Sequence, residues 1–340
     1  MSNLNPQEVL ARLAAYLSEQ IGSAVSIEDA HPLSGGASRD TWSFRARFDG
    51  GEQTFVIRRD LPTQMFEAAL TRAQEYHLMA QAQWAGVRVA PVRYLCEDAA
   101  VLGSPFFIME YMPGISIGPK VMHAPELADA RAQLPQQMAE QLACIHTIDA
   151  APLPFLPRPR PGLMPAEEVV RQCYEILDAL SVDNPVWEWT LRWSERHAPQ
   201  AEHLRFVHGD FRIGNLLVTE QGLSAVIDWE FGHIGDPDEE LGYLCMRDWR
   251  FGNGHLRAAG LSDRETFLRA YEAASGRSVA RSAVDWWEIM GNIRWGIICM
   301  SQAQRHLSGE EPSVELASLG RRSAEMQLEA LRLIEASGID

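Results

Sequence analysis

Two stretches, "FVHGDFRIGNLLV" (206–218) and "AVIDWEFGHIGDP" (225–237), set Asp210, Asn215 and Asp228 against apolar runs. Apolar runs of this length are core material, and an unpaired carboxylate is expensive to bury there. Hydrogen bonds, a metal or a substrate must therefore compensate these polar groups.

The spacing selects among those partners. A phosphoryl-transfer site needs one carboxylate to orient or deprotonate a hydroxyl. It also needs hard oxygen ligands for Mg2+, which a carboxamide and a second carboxylate supply. Asp210 and Asn215 stand at the kinase catalytic-loop spacing, Asp-x4-Asn. Asp228 follows at the end of "AVID", where a strand delivers it to the same place. "NLLV" and "AVI" read as a buried hairpin with "TEQGLS" as its turn, bringing Asn215 and Asp228 close enough to share a metal. Taken singly, each residue reads as a turn or cap. Their order and spacing together favour phosphoryl chemistry.

The rest of the chain bounds this reading. It has 340 residues, 46% hydrophobic and 22% charged, the profile of an ordinary globular protein with length for one large domain or two. A formal charge of −16 argues against an extended nucleic-acid or anionic-membrane surface, while leaving room for a local basic pocket. Cys96, Cys144, Cys173, Cys245 and Cys299 form no CxxC pair, so they are expected to be buried thiols in a reducing compartment. The N-terminal stretch lacks a signal-peptide pattern, and no apolar run approaches a membrane span, so a cytoplasmic protein is expected.

Asn5 and Pro6 suit the cap and first turn of a helix carrying Val9, Leu10, Leu13, Leu17 and Ile21, with Gly22 as its stop. "DTWSFRARF" and "QTFVIRR" alternate as strands around the turn "DGGE". A helix over 63–84 follows, closed by Gly86, and then two strands in "VRVAPVRYLCED" and "SPFFIMEYMPG". These elements predict a small α+β lobe over residues 1–114 and a larger, mainly helical lobe over 115–340. "DAAPLPFLPRPRPG" (149–162) is expected to be an extended loop.

"HGDFRIGNLLV" followed by "VIDWEFGHIGDP" resembles the signature of the aminoglycoside phosphotransferase family, in particular the branch with kinase-like domains fused to acyl-CoA dehydrogenases. The resemblance runs from "LSGGASRDTW" (33–42) to the helical C-terminus. It implies a protein-kinase-like two-lobed α+β fold, use of ATP (or GTP) with Mg2+, and transfer to a hydroxyl of a small molecule. By the resemblance Asp210 is the catalytic base or hydroxyl-orienting group, and Asn215 and Asp228 are the magnesium ligands. His208 is expected to be structural.

In the first lobe Gly35 and Gly36 allow backbone to approach phosphates and Ser38 can donate to them; an ordinary glycine turn is the alternative. In "FVIRRD", Arg58 stands where kinases place a lysine. Strand alternation sets Val56 toward the adenine and Arg58 toward the phosphates, with Glu75 as the helical partner. The alternative is an exposed strand arginine and a surface glutamate. "FIMEYMPG" resembles the interlobe hinge, where Glu110 and Met112 would offer backbone groups to a purine edge.

Glu230 occupies the Gly position of a kinase D-F-G, as the family permits, and is expected near the metal; Glu240 is expected to cap the following helix, and Asp236 to be structural. No activation loop or A-P-E element is recognisable, which argues against a protein substrate. The stretch "DWWEIMGNIRWGIICMSQAQRH" (285–306) reads either as an acceptor wall suited to a hydrophobic or anionic hydroxyacyl compound, or as core anchored by Trp286, Trp287 and Trp295. Two other functions compete: a nucleotide-binding pseudokinase, suggested by Arg58, and a metallohydrolase built on His208, Asp210, His233 and Asp236.

Overall fold

The computed structural model describes residues 6–33, 39–60 and 69–338. In chain order its elements are α1 (Pro6–Ile21), β1 (Ser26–Pro32), β2 (Arg39–Phe48), β3 (Gly51–Asp60), α2 (Arg72–Trp84), β4 (Val92–Cys96), α3 (Ala99–Leu102), β5 (Phe106–Glu110) and α4 (Gly118–His123). Then come α5 (Ala128–Ile145), α6 (Pro165–Leu180), α7 (Pro185–Arg196), β6 (Arg205–Val207), β7 (Leu216–Thr219), β8 (Gly222–Val226), β9 (His233–Gly235) and α8 (Pro237–Leu244). The chain ends with α9 (Arg264–Ser275), α10 (Arg281–Leu307), α11 (Val314–Leu319) and α12 (Arg322–Ser337). This is a two-lobed α+β arrangement: β1–β5 with α1–α4 form the N-terminal lobe, and α5–α12 dominate a larger, mostly helical C-terminal lobe.

By packing, the described residues gather into two compact units. One holds those within 1–130 with 148–155 and 214–232; the other holds 131–147, 156–213 and the rest from 233. The first unit is built on an antiparallel sheet in the order β1-β2-β3-β5-β4. Alternation sends Phe44, Phe55, Ile57, Phe106 and Ile108 to one face, where Leu13 and Leu17 of α1 complete the core. Tyr76 of α2 meets Phe107 edge-on at 6.2 Å on the opposite face, so the sheet is covered on both sides. That double cover explains why "FVIR" (55–58) is buried without interruption.

The β2–β3 hairpin, the strands β4 and β5, and the β7–β8 hairpin stand where the residue pattern puts them, and 149–162 is a loop. Asn5, the expected cap of α1, lies outside the described residues; Gly22 ends that helix with its N–H on the Ser18 carbonyl at 2.9 Å and a φ of 77°. Helix α2 starts later than expected. Thr71 caps it through a reciprocal box with Gln74, so Ala69 and Leu70 are outside the helix.

The second unit packs α6, α7, α10 and α12 around Trp187, Leu191, Trp286, Trp287 and Ile293. Trp286 and Trp287 are core anchors: their indole N–H groups donate to the Ser194 carbonyl at 3.0 Å and to Asp236 Oδ2 at 2.9 Å. All five cysteines are free thiols, four of them buried and Cys144 half-buried. Among the described residues no helix is long and apolar enough to cross a membrane.

Helix α8 is seated on α10 through Gly242, where a Cβ would lie 2.5 Å from Trp287 Cβ and 2.6 Å from the Glu288 backbone nitrogen. Neither neighbour can yield without moving a helix. Gly242→Ala is expected to lower stability by about 2–3 kcal/mol, the usual scale of overpacking. An unchanged urea midpoint would show that the two helices part without cost.

Candidate active site

In the first unit, the sheet, α2 and the β7–β8 hairpin bring three of the sequence-predicted residues together. Arg58 projects from β3 with Nη1 3.1 Å from Glu75 Oε1, an ion pair without hydrogen-bond alignment. Its Nη2 donates to Asp228 Oδ1 at 3.1 Å. Arg58 is 8% exposed and Glu75 fully buried, so the reading of an exposed arginine and a surface glutamate fails. Burial opposes the guanidinium charge, yet Glu75, Asp228 and Glu230 outweigh it and hold Arg58 more firmly protonated than in water. Arg72, also fully buried, pairs with the other Glu75 oxygen and with Asp60.

The hairpin fixes the two candidate metal ligands relative to each other. The Ile227 N–H donates to the Asn215 carbonyl at 2.9 Å, directly beyond the β7–β8 ladder. Asn215 is buried, and Asp228 sits in the left-handed region at φ 66°, ψ 63°, a conformation costly for a non-glycine residue. The buried Trp229 indole anchors that turn on the Val226 carbonyl at 3.1 Å. Ile115 pairs with Val218 through bonds of 2.8 and 3.0 Å, tying the segment after β5 to the hairpin. Gly114 is required beside it, because a Cβ there would stand 2.9 Å from Leu217 Cβ and its φ is 144°.

Glu230 lies next to this group. Its carboxyl is pushed up to about 8, first by burial and then by the negative charge of Asp228. A carboxylate and a carboxamide at the two ends of one hairpin are oxygen donors of the kind that suits a hard divalent cation such as Mg2+.

Val56 is buried on the Arg58 side of β3. At the expected hinge, the Glu110 N–H is spent on the Pro91 carbonyl at 2.9 Å and its carboxylate pairs with Arg93. The Tyr111 N–H is spent on Thr54, whereas the backbone of Met112 makes no hydrogen bond among the described residues. Gly35, Gly36 and Ser38 lie outside the described residues.

In the second unit, β6 pairs with β9 and leads into His208, Gly209 and Asp210. The Asp210 carboxylate accepts from Arg212 Nε at 3.0 Å and from the Tyr243 hydroxyl at 2.6 Å, both on Oδ1. The Arg212 guanidinium also lies 4.9 Å from the centre of the Trp249 ring. His208 is fully buried, and its Nδ1 accepts the Asp210 N–H at 3.3 Å, which is a structural role.

Glu240 is not a cap. It lies inside α8, almost fully buried, and its carboxylate accepts the N–H of His208 at 3.0 Å and of Gly209 at 3.2 Å. It also takes His146 Nε2 at 3.0 Å, whose Nδ1 is 2.6 Å from the Tyr271 hydroxyl. The cap of α8 is Asp236, which accepts the Asp238 N–H at 3.0 Å. His233 meets Glu239 instead of Asp236 or His208. Among the described residues no group of three or more His, Cys, Asp or Glu side chains is placed to hold a metal ion, so the metallohydrolase alternative has no ligand set.

Residues 29–287 match the phosphotransferase enzyme family, APH. The chain belongs to that family. Acyl-CoA dehydrogenase family member 10 of Mus musculus is 29% identical over 306 residues, covering 86% of this chain and 28% of that protein. The chain spans between a quarter and two-fifths of the length of the curated relatives it matches. Among solved structures, a Ralstonia eutropha protein assigned to the aminoglycoside phosphotransferases superposes with a TM-score of 0.76 at 24% identity, covering 96% of this chain and 98% of its own. A thermostable mutant of aminoglycoside phosphotransferase APH(4)-Ia, in a ternary complex with AMP-PNP and hygromycin B, gives 0.59 at 17%, covering 94% and 98%. At these identities the structural likeness is one of fold.

Several site residues of this APH-family chain carry no local sequence signal. Tyr243 meets Asp210 and His146 meets Glu240 only through tertiary packing, from α8 and from the end of α5. Arg212 was within reach of inference, being two residues from Asp210 on the same loop. Glu240 serves three donors, those of His208 and His146 buried and that of Gly209 half-buried, and a buried donor costs about 1–3 kcal/mol when left unpaired. Glu240→Ala is therefore expected to lower stability by at least about 3 kcal/mol in urea unfolding. A midpoint equal to the parent's would mean that water takes over the acceptor role.

Proposed function

We propose that this chain is an ATP- and Mg2+-dependent phosphotransferase that phosphorylates a hydroxyl of a small molecule. The observation that carries the proposal is the buried Arg58, holding Glu75 of α2 with one nitrogen and Asp228 with the other. That is the kinase arrangement of strand cation, helical carboxylate and metal-side carboxylate, with arginine in place of lysine.

Asp210 orients the acceptor hydroxyl and takes its proton as the oxygen attacks the γ-phosphorus in line, while the bond to the ADP oxygen breaks. Asn215 and Asp228, with Glu230 beside them, would hold the metal. Bound there, Mg2+ offsets phosphate charge. Arg58 keeps Asp228 aimed and faces the phosphates, and the sequence offers Gly35, Gly36 and Ser38 as further phosphate-binding residues. Val56 lies against the adenine, and Glu110 and Met112 provide backbone groups for its edge. GTP is a second candidate donor for the same groups.

For the acceptor, a hydroxyacyl compound is the reading with most support. The curated relatives carry acyl-CoA dehydrogenase names. The Arg212 guanidinium lies both on Asp210 and over the Trp249 ring. A cation beside the base suits a neutral or anionic acceptor better than a polycationic aminoglycoside. A cytoplasmic location goes with this proposal.

Calorimetry with ATP and GTP, with and without Mg2+, is the test. The parent is expected to bind a nucleotide in a metal-dependent way, and Asp228→Ala to lose that dependence. Asp210→Ala is expected to bind nucleotide and to lose roughly 10²-fold or more in kcat. A parent that binds neither nucleotide, or full turnover in both variants, overturns the assignment.

A further inference from the structure

The carboxylate of Asp210 is attached through a soft torsion. The terminal χ2 of an aspartate has a broad, two-fold energy profile, so the group swings unless something holds it. A base that must meet a hydroxyl at about 2.6–3.2 Å loses rate when it swings. Two donors converge on a single oxygen here: Tyr243 Oη at 2.6 Å and Arg212 Nε at 3.0 Å on Oδ1. Together they define the plane of the carboxylate.

Tyr243 is itself held firmly. It stands on α8 one turn after Glu240, the residue that binds the His208 and Gly209 N–H groups, so one helix grips both the backbone and the side chain of the catalytic loop. Gly242 fixes the seat of that helix on α10. The tyrosine ring packs 5.4 Å from the Trp249 ring, and the absent side chain of Gly291 leaves space beside it. Burial, and then the Asp210 charge, push the phenol well above its ordinary range, so it remains a donor at every working pH. A phenylalanine would fill the same volume; only the hydroxyl reaches Asp210.

We infer that Tyr243 is a positioning residue for the phosphotransfer reaction, orienting the Asp210 carboxylate through its hydroxyl. The inference rests on the functional reading above, in which Asp210 is the base.

The test uses the full chain with Mg2+–ATP and water as the acceptor, following phosphate release for the parent, Tyr243→Phe, Asp210→Ala and the double variant. Tyr243→Phe is expected to lose about tenfold in kcat with the KM for ATP unchanged, because misplacing a reacting group costs turnover and not nucleotide binding. Its thermal midpoint should stay within a few degrees of the parent's, since the ring is retained. In the Asp210→Ala background the same substitution is expected to change the residual rate by less than about twofold, because a residue acting only through Asp210 has nothing left to act on. A Tyr243→Phe enzyme with parental kcat, or a further loss in the Asp210→Ala background, overturns the inference. An Asp210→Ala enzyme as active as the parent instead overturns the functional reading, so the two failures are distinguishable.

Discussion

A guanidinium buried in the first unit has to be surrounded by carboxylates, and much of that unit is arranged around this requirement. Arg58 satisfies it with Glu75 from α2 and Asp228 from the turn after β8. Removing one partner of such a pair costs about 3–5 kcal/mol, because the other charge stays buried and uncompensated. The strand, the helix and the hairpin therefore cannot move independently. Glu75 is further shared with the buried Arg72, which reaches Asp60 at the end of β3, so the network closes on the strand where it began.

The second unit solves a related problem with a neutral-to-charged arrangement. The loop from His208 to Asp210 leaves strand geometry and turns back through Gly209 at a φ of 81°, which exposes backbone N–H groups that no ladder satisfies. Glu240 provides one buried carboxylate for two of them and for His146. Hydrogen bonds to a charged acceptor are about twice as strong as neutral ones, which offsets the cost of burying it. The loop from His208 to Asp210 thus owes its shape to a residue on another element.

How far the sequence carries a reader follows from this division. Period-2 and period-3.6 patterns made α1, the β2–β3 hairpin and the β7–β8 hairpin legible, because each has one face in a core. Strand β1 was not, since it is a polar edge strand, "SIEDAHP", whose half-buried Ile27 and Ala30 fall out of alternation across an irregularity between Glu28 and His31. The start of α2 was misread because apolar residues before Thr71 continue the helical pattern while the capping box ends it. The nearness of Asn215 to the Ile227–Asp228 turn was legible, because one hairpin carries both. Glu240 and Tyr243 were not, because their partners lie 31 to 33 residues away in the chain and only packing brings them together.

Arginine at position 58 changes how the first unit works, compared with the lysine a kinase would carry. A lysine ammonium is a point charge that must choose or share between carboxylates, whereas a guanidinium presents two Nη groups in a fixed fork. Arg58 uses one for Glu75 and the other for Asp228, each at 3.1 Å. The fork therefore sets the separation of the two carboxylates before any nucleotide arrives. Asp228, strained into the left-handed region, is held there by an interaction that does not depend on a ligand. A rigid cation of this kind exchanges adaptability for preorganisation, and under the phosphotransferase function proposed above that exchange would favour turnover.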